Sequence, residues 1–436
     1  MFKESLLDKI LYQIKKLIPR SVFDFFAPMY HSALALVADI IYGHPSRDLK
    51  VIGITGTKGK STVTYLVSKL LEANGEKVAA IGSLGYKIGE KEWPNKLKMT
   101  MPGRFKLQKF LAEAKKTGCK YVVLEVTSEG IKQKRHIGIN FDCAVFVNLH
   151  KEHIESHGSF ENYKSAKQEL FKKTDNIHVL NADDPYIEDF SNFHAKRKIF
   201  FGLTKGDMVA QNIKHTTGGS QFDVYGTQFN IHLIGEFNVI NCLAALSVGA
   251  MYGVDLPKAK PIIESVQSIP GRMEFLKREP FAVIVDYAHT PDSLELVYRV
   301  LKNQVKSEKL KMESDRKLIC VLGAAGGGRD KWKRKEFGRI ASEYCDEIIL
   351  TNEDPYDENP EKIIEDIDSG FSQILNPKFE ILKILDRKEA IGKAISDAQS
   401  GDTVIITGKG SETSMAVSGN KKIQWSDKKV VEELLH

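Results

Sequence analysis

Cysteine is scarce in this chain of 436 residues, and the five present are widely spread: Cys119, Cys143, Cys242, Cys320 and Cys345. Their number is odd and no two form a C-x-x-C pair, which argues against a disulfide framework and a thiolate zinc site. Unpaired thiols in a reducing cytoplasm are expected. Long apolar runs are also missing. The longest, Ala33–Tyr42, is interrupted by Asp39 and falls short of the ~18 residues that span a bilayer. The first turns carry Lys3, Glu4, Asp8 and Lys9, so no signal peptide is expected. There is no large excess of either charge: 63 basic against 57 acidic residues, a net of +6. That balance gives no electrostatic footprint for nucleic acid. Repeats and low-complexity tracts are absent. What remains is 42% apolar and 28% charged, the composition of a globular chain.

At roughly 150 residues per domain, two or three domains are expected. Residues 1–48 read as helical: Leu6, Leu7, Ile10, Leu11, Ile14 and Leu17 recur at helical spacing, Pro19 ends that pattern, and a second apolar stretch runs over Phe23–Tyr42. Gly43–Ser46 reads as a linker. From Lys50 onward, strands alternate with helices. Strands are predicted at Val51–Thr55, Val78–Ile81, Tyr121–Val126 and Ala144–Asn148. A helix is predicted at Ser61–Ala73, short accessory strands within Phe222–Ile234, and a helix at Asn238–Tyr252. After Pro270 and Gly271 the alternation resumes, with strands at Ala282–Asp286, Leu318–Leu322, Glu347–Thr351 and Thr403–Thr407. The fold class is therefore α/β with doubly wound parallel sheets. The expected division is a helical segment 1–48, a central domain 49–269 and a C-terminal domain 270–436.

The stretch V-I-G-I-T-G-T-K-G-K-S-T, Val51–Thr62, lies between a β-branched strand and an amphipathic helix, the context a phosphate loop requires. Gly56 and Gly59 let the backbone approach oxygen closely, and amides at the helix start face an anion. Lys60 can reach terminal phosphates, and the Ser61 hydroxyl can hold Mg²⁺. The strict G-x4-G-K-[ST] pattern fails, because it needs glycine at Ile54. Y-V-V-L-E ends a buried strand in Glu125, a candidate Mg²⁺ ligand or water orienter beside the loop. Asn148–His157 holds His150, His153 and His157. Their spacing is not H-E-x-x-H, so surface histidines or a single histidine beside Mg²⁺ are expected rather than zinc.

Here the chain resembles the Mur ligase superfamily, which forms amide bonds with ATP in cell-wall precursor synthesis. G-T-K-G-K-S-T looks like that family's G-T-x-G-K-[ST]-T loop; folylpolyglutamate synthetases have a similar one. N-A-D-D-P (Asn181–Pro185) and G-E-F-N-V-I-N (Gly235–Asn241) are general Mur signals. G-R-M-E (Gly271–Glu274), D-Y-A-H-T-P-D (Asp286–Asp292), G-G-R-D-K-W-K-R (Gly327–Arg334) and G-K-G-S-E (Gly408–Glu412) resemble the MurE-type branch. That branch adds the third peptide residue, diaminopimelate or lysine, to UDP-N-acetylmuramoyl-L-alanyl-D-glutamate.

The resemblance implies a central phosphate-loop ATPase domain, a C-terminal Rossmann-like domain and a short helical N-terminal segment. It implies ATP and Mg²⁺, a cell-wall peptide precursor and an amino acid as partners, and a cytoplasmic monomer. ATP is expected on Gly56, Thr57, Lys58, Gly59, Lys60, Ser61, Thr62, Asn238, Arg272 and Asp286. Mg²⁺ is expected on Ser61, Glu125, His153 and a carbamylated Lys167. Lys60, Lys167, Glu125 and His153 would carry the chemistry. Thr100, Ser128 and Arg135 would contact the acyl substrate; Asp354, Tyr356, Gly408 and Glu412 would contact the amino acid. The basic run Arg329, Lys331, Lys333, Arg334 and Lys335 would supply phosphate or carboxylate contacts.

Three departures stand out. The family's S-S-H-A is Thr127-Ser128-Glu129-Gly130, its D-N-P-R is Glu353-Asp354-Pro355-Tyr356, and its G-K-G-H-E has Ser411 for histidine. Tyr356 in place of arginine weakens the grip on diaminopimelate's distal carboxylate and favours lysine or another amino acid. Before the loop, helices stand where the family's uridine-binding α/β domain is found, so weak dependence on UDP is expected. Alternatives are a folylpolyglutamate-synthetase-like or other Mur-type ligase on a non-UDP acceptor, a phosphate-loop NTPase without ligase activity, and a non-catalytic Mur homologue.

Overall fold

The computed structural model describes residues 20–95, 99–152, 154–216, 218–309, 316–328, 331–371, 379–419 and 421–436. The stripe predicted within 1–19, His153 and Arg329 lie outside them. The described chain forms two compact units: one holds the residues up to Asn212 with Phe222–Phe229 and Phe237–Ile263, the other Ile213–Gln221, Asn230–Glu236 and Glu264–His436.

The first unit starts with helix α1 (Arg20–Ile41), which absorbs Pro28 in its interior. Ala35, Ala38 and Asp39 are buried, the Asp39 carboxylate pairs with His44 at 2.7 Å, and the helix packs on α3. A 3₁₀ turn at Pro45–Asp48 replaces the predicted linker. The unit's sheet is built from β1 (Lys50–Thr55), β2 (Val78–Gly82), β3 (Gly85–Ile88), β4 (Lys91–Trp93), β5 (Tyr121–Glu125), β6 (Phe141–Phe146), β7 (Ile177–Asn181), β8 (Arg197–Gly202) and β9 (Met208–Val209). Its order is β4-β3-β2-β5-β1-β6-β7-β8-β9. The strands from β2 to β9 run parallel, and β3 and β4 fold back antiparallel at one edge. Continuous apolar strands such as β1 and β5 are buried on both faces, as parallel sheets covered by helices require.

The helices that matter for the site are α2 (Lys60–Ala73), α3 (Arg104–Lys116), α4 (Ser128–Lys132), α5 (Phe160–Lys172) and α6 (Glu236–Met251). Beside β1, the chain passes to β5 on one side and β6 on the other, so the strand order reverses there. That reversal opens a crevice at the carboxyl ends of the strands. Register puts Ile54 next to Glu125 and Thr55 next to Phe146. Val51, Leu124, Phe146, Leu170, Phe171 and Phe190 belong to the core beneath.

A three-stranded sheet, β10 (Gln211–Thr216), β11 (Gly219–Val224) and β12 (Thr227–Ile231), supplies the accessory strands, starting earlier than predicted.

The second unit has β13 (Glu274–Lys277), β14 (Ala282–Val285), β15 (Leu318–Leu322), β16 (Glu347–Leu350), β17 (Glu380–Lys383) and β18 (Thr403–Ile406), in the order β13-β14-β18-β15-β16-β17. Only β13 pairs antiparallel. Helices α7 (Pro291–Lys309), α8 (Trp332–Tyr344), α9 (Pro360–Asp368), α10 (Arg387–Asp397) and α11 (Asp427–Leu435) and the hairpin β19 (Ser414–Val417)–β20 (Lys421–Gln424) complete it. Val283, Val321, Ile349, Ile391, Val404 and Val431 are part of its core. The Arg387 guanidinium is buried against Asp427, with bonds of 2.8 and 2.7 Å that tie α10 to α11.

One expectation is corrected. Cys320 and Cys345 form a disulfide, their Cα atoms 6.1 Å apart. They are 25 residues apart in sequence, but β15 and β16 are neighbours, so the turn entering β16 lies beside β15. Cys119, Cys143 and Cys242 are buried and unbonded.

Candidate active site

In the first unit, the loop Gly56–Gly59 joins β1 to α2. Gly59 has φ 79°, and a Cβ there would lie 2.3 Å from the Asn241 Oδ1. Both the left-handed backbone and the close approach demand glycine. Asn241 in turn donates to Asn238 at 3.2 Å, so α6 presents Asn238 next to the loop.

Asn148, just beyond β6, clamps the loop's start. Its side-chain oxygen accepts from the amides of Thr57 (3.0 Å) and Lys58 (2.8 Å). The Thr57 hydroxyl meets the Tyr163 hydroxyl at 3.0 Å and accepts from the His150 amide at 2.9 Å. The amides of Thr57 and Lys58 are thereby engaged within the protein, and an anion falls to the start of α2. N-A-D-D-P braces this clamp: Asn181 donates to the Val147 carbonyl at 2.8 Å, and Asp184 accepts from the Leu149 amide at 2.7 Å.

Two lysines converge on one carbonyl. Lys60 Nζ donates to Gly56 O at 2.9 Å and to Thr57 O at 3.0 Å; Lys167 Nζ reaches Gly56 O at 2.8 Å. Lys167, on α5, is fully buried, and burial pushes its ammonium well below the usual lysine range. Lys60 and Lys58 reinforce that shift and Glu152 opposes it. Lys58 itself pairs with Glu152 at 3.3 Å.

Glu125 sits buried at the end of β5. Its carboxylate accepts from the Ser61 hydroxyl at 3.2 Å, from the Ser83 amide at 2.9 Å and from the Ser83 hydroxyl at 3.2 Å. Ser61 and Ser83 hydroxyls are 2.6 Å apart. These are hard oxygen donors, the set that suits Mg²⁺. Thr62 is buried in the same turn. Among the described residues no group of three histidine, cysteine or acidic side chains has metal-site geometry.

Ser128 begins α4, capped by the Thr127 hydroxyl, and its own hydroxyl meets His157 Nε2 at 3.1 Å. The Arg135 guanidinium donates to the Met101 carbonyl and to Gln133 Oε1, the latter at 2.6 Å. Burial lowers the Arg135 pKa.

The second unit carries its own cluster. Asp286, at the end of β14, accepts from the amides of Met273 (2.7 Å) and Ala288 (2.6 Å). Arg272 lies over the Tyr287 ring, 4.2 Å from its centre. Tyr287 donates to Glu412 Oε1 at 3.3 Å. Lys409 is buried between Asp354 Oδ1 (2.9 Å) and Glu412 Oε2 (2.6 Å). Burial disfavours its charge, but Glu412 and Asp354 outweigh that and raise its pKa. Glu353 is buried with Oε2 unbonded; burial first, then Asp354 and Glu412, raise its carboxyl to about 7, against Arg387 and Lys409. Gly408 has φ 107°, and a Cβ there would stand 2.3 Å from that oxygen. Tyr356, at φ 53°, packs its ring over Gly327.

The basic run does not act as a block. Arg334 is buried and pairs with Asp366 (2.9 Å) and Glu358 (3.0 Å), so its charge supports the fold instead of facing a ligand. Lys331 joins Glu358 at 3.4 Å.

Sequence reading missed Ser83, Asn148, Tyr163 and Glu152 in the first unit and Tyr287, Glu353 and Lys409 in the second. Lys409 and Tyr287 lay inside quoted motifs, and Glu353 inside a noted departure. Ser83 had no local signal.

Residues 54–249 match the family described as Mur ligase middle domain, and residues 271–410 that described as Mur ligase, glutamate ligase domain. The UDP-N-acetylmuramoyl-L-alanyl-D-glutamate–2,6-diaminopimelate ligase of Halalkalibacterium halodurans is 38% identical over 392 residues, covering 87% of this chain and 77% of that protein. The enzyme of the same name from Syntrophomonas wolfei is 36% identical, covering 94% and 82%. A solved structure of a ligase of that name superimposes with a TM-score of 0.61 at 30% identity, covering 89% of this chain and 78% of that one.

Proposed function

The chain belongs to the Mur ligase family, on its MurE-like branch, and from that premise we propose how its own residues divide the work. It is an ATP-dependent acid–amino-acid ligase that extends a peptidoglycan precursor. The motor or switch reading lapses, because both a middle and a ligase domain are matched.

A carboxylate is a poor acyl donor, since its leaving group would be oxide. ATP phosphorylates it: the carboxylate oxygen attacks the γ-phosphorus and ADP departs. The neutral amine then attacks the acyl carbon, phosphate leaves, and one proton is released with the new amide. The relatives' names specify an acceptor ending in D-glutamate; we assign this chain the same acceptor class. The observation that carries the reading is the convergence of Lys60 and Lys167 on Gly56 O, with Ser61 and Glu125 in contact at the same sheet end. Lys60 neutralises charge on the transferred phosphate. Asn238 holds the nucleoside side of ATP; Arg272 and Asp286 are the second unit's own nucleotide-binding candidates. Ser61 and Glu125 would hold Mg²⁺, together with His153 and a carbamylated Lys167; the ion would stabilise charge on the phosphoryl oxygens. Lys167 suits carbamylation because burial favours its neutral amine, the form that attacks carbon dioxide. Thr100, Ser128 and Arg135 orient the acyl substrate.

In the second unit, Glu412 and Asp354 hold the incoming ammonium, and Glu353 Oε2 takes the proton it must lose, its pKa being close to working pH. The pocket sets Glu353, Asp354 and Glu412 against Lys409 and Arg387 and has Tyr356 where the branch places arginine. Among the described residues, Tyr356 offers a second carboxylate one hydroxyl in place of an arginine fork. A diamino acid with one carboxylate, of the lysine kind, fits better. We place the enzyme in the cytoplasm as a monomer.

The test is ADP and phosphate release with a panel of muramoyl-dipeptide acceptors and amino acids. Turnover should need both substrates. Release of AMP and pyrophosphate would refute the acyl-phosphate route. Tyr356→Arg should raise kcat/KM for diaminopimelate relative to lysine by about tenfold or more; an unchanged ratio would refute the pocket assignment.

A further inference from the structure

We propose that the outward face of α1 docks on an anionic lipid surface. Met29 (71% exposed), Leu36 (50%), Val37 (45%), Ile40 (65%) and Ile41 (63%) point to solvent, with Ala33 between them. Their spacing puts all six on one side of the helix across more than three turns. A solvated helix face normally carries charge. From Phe25 to Ile41 the only charged residue is Asp39, which turns inward and pairs with His44. A contiguous exposed apolar face of this kind marks an interaction surface. It does not cross a bilayer: no helix of the described residues is long and apolar enough.

The charges around the face decide the occupant. Helix α3, which packs on α1, carries Arg104, Lys106, Lys109, Lys115 and Lys116, of which Lys109 faces Glu113 and Lys115 pairs with Asp48. Arg104 is within electrostatic reach of both Tyr30 of α1 and Arg135. An apolar helix face with basic residues beside it suits an anionic bilayer: the aliphatic side chains enter the acyl boundary while lysine and arginine meet the head groups. A second copy fits worse. A two-fold contact through this face would set one basic rim against another.

Flotation of the full chain with phosphatidylcholine vesicles, with and without phosphatidylglycerol, tests this. Binding should require phosphatidylglycerol and weaken as salt rises. Leu36→Ser with Ile40→Ser should cut partitioning by about tenfold or more per residue. Both positions are exposed, so the melting profile and turnover with soluble substrates should stay at wild-type values. Lys106→Glu with Lys109→Glu should cost about fivefold per charge removed. The proposal fails if the wild-type chain stays with the soluble fraction, if it floats equally with neutral vesicles, or if the serine variant floats like wild type. It also fails if sedimentation reveals a dimer that the serine variant dissolves while vesicles bind nothing, since the face would then pair copies of this chain.

Discussion

Replacing Lys60 by alanine separates catalysis from folding, because the loop does not depend on this side chain alone. Lys60 Nζ bonds to the carbonyls of Gly56 and Thr57. In the variant, Gly56 O keeps Lys167 at 2.8 Å, and Asn148 still holds the amides of Thr57 and Lys58. The Thr57 carbonyl loses its bond to Lys60, and Lys60 is partly exposed, so water can replace the ammonium there. The stability cost is then one net hydrogen bond, about 1 kcal/mol. The catalytic cost is larger, because the ammonium acts on charge that develops during phosphoryl transfer. Removing one preorganised donor of this kind typically costs about 3–4 kcal/mol, or roughly 10²–10³ in kcat. Coupled ADP release should therefore fall by that factor while the melting transition moves by only a few degrees. Activity within about tenfold of wild type would refute the role of Lys60. A collapse of the melting transition in step with activity would refute the claim that the loop is held independently.

Lys167→Met keeps most of the buried volume but removes the amine; turnover should drop by about 10² or more, with partial rescue by formate or acetate, and full activity would count against carbamylation. Glu353 predicts a pH signature. Its folded carboxyl lies near 7 against an ordinary 4.5, so the native state binds the extra proton between those values and stability falls as pH rises through that window. At pH 8 Glu353→Gln should be more stable than wild type by on the order of 2–3 kcal/mol, the gap should shrink toward pH 4, and turnover should lose its rise through neutrality; parallel stability curves would contradict this. Asp427→Ala leaves the Arg387 guanidinium buried without its carboxylate, which should cost about 3–5 kcal/mol in denaturant unfolding followed by Trp425 fluorescence, whereas a loss below about 1 kcal/mol would mean the pair behaves like an exposed one.

Short-range pattern carried much of this protein. The β-branched run before Gly56, the glycine-lysine turn and the following helix are contiguous, so this strand–loop–helix unit was legible without any fold, as were the buried strands Tyr121–Glu125 and Leu318–Leu322. Periodicity also located the helix in the N-terminal segment, although Pro28 within it was not taken as a kink signal. The weaker strands at Ile177–Asn181, Arg197–Gly202 and Glu380–Lys383 escaped, because short mixed runs acquire strand character from their neighbours in the sheet. Only the tertiary structure decided who meets whom. Ser83 touches Glu125 because β2 lies next to β5, and Asn148 clamps the loop because β6 lies next to β1. A lysine on an amphipathic helix reads as solvated, yet α5 turns Lys167 inward onto Gly56, and the same inversion buries Arg334 and Lys409. Sequence spacing encodes the period of an element, but the burial of a charge depends on which strand order brings its counter-charge or carbonyl within reach, and that order is a property of the assembled sheet.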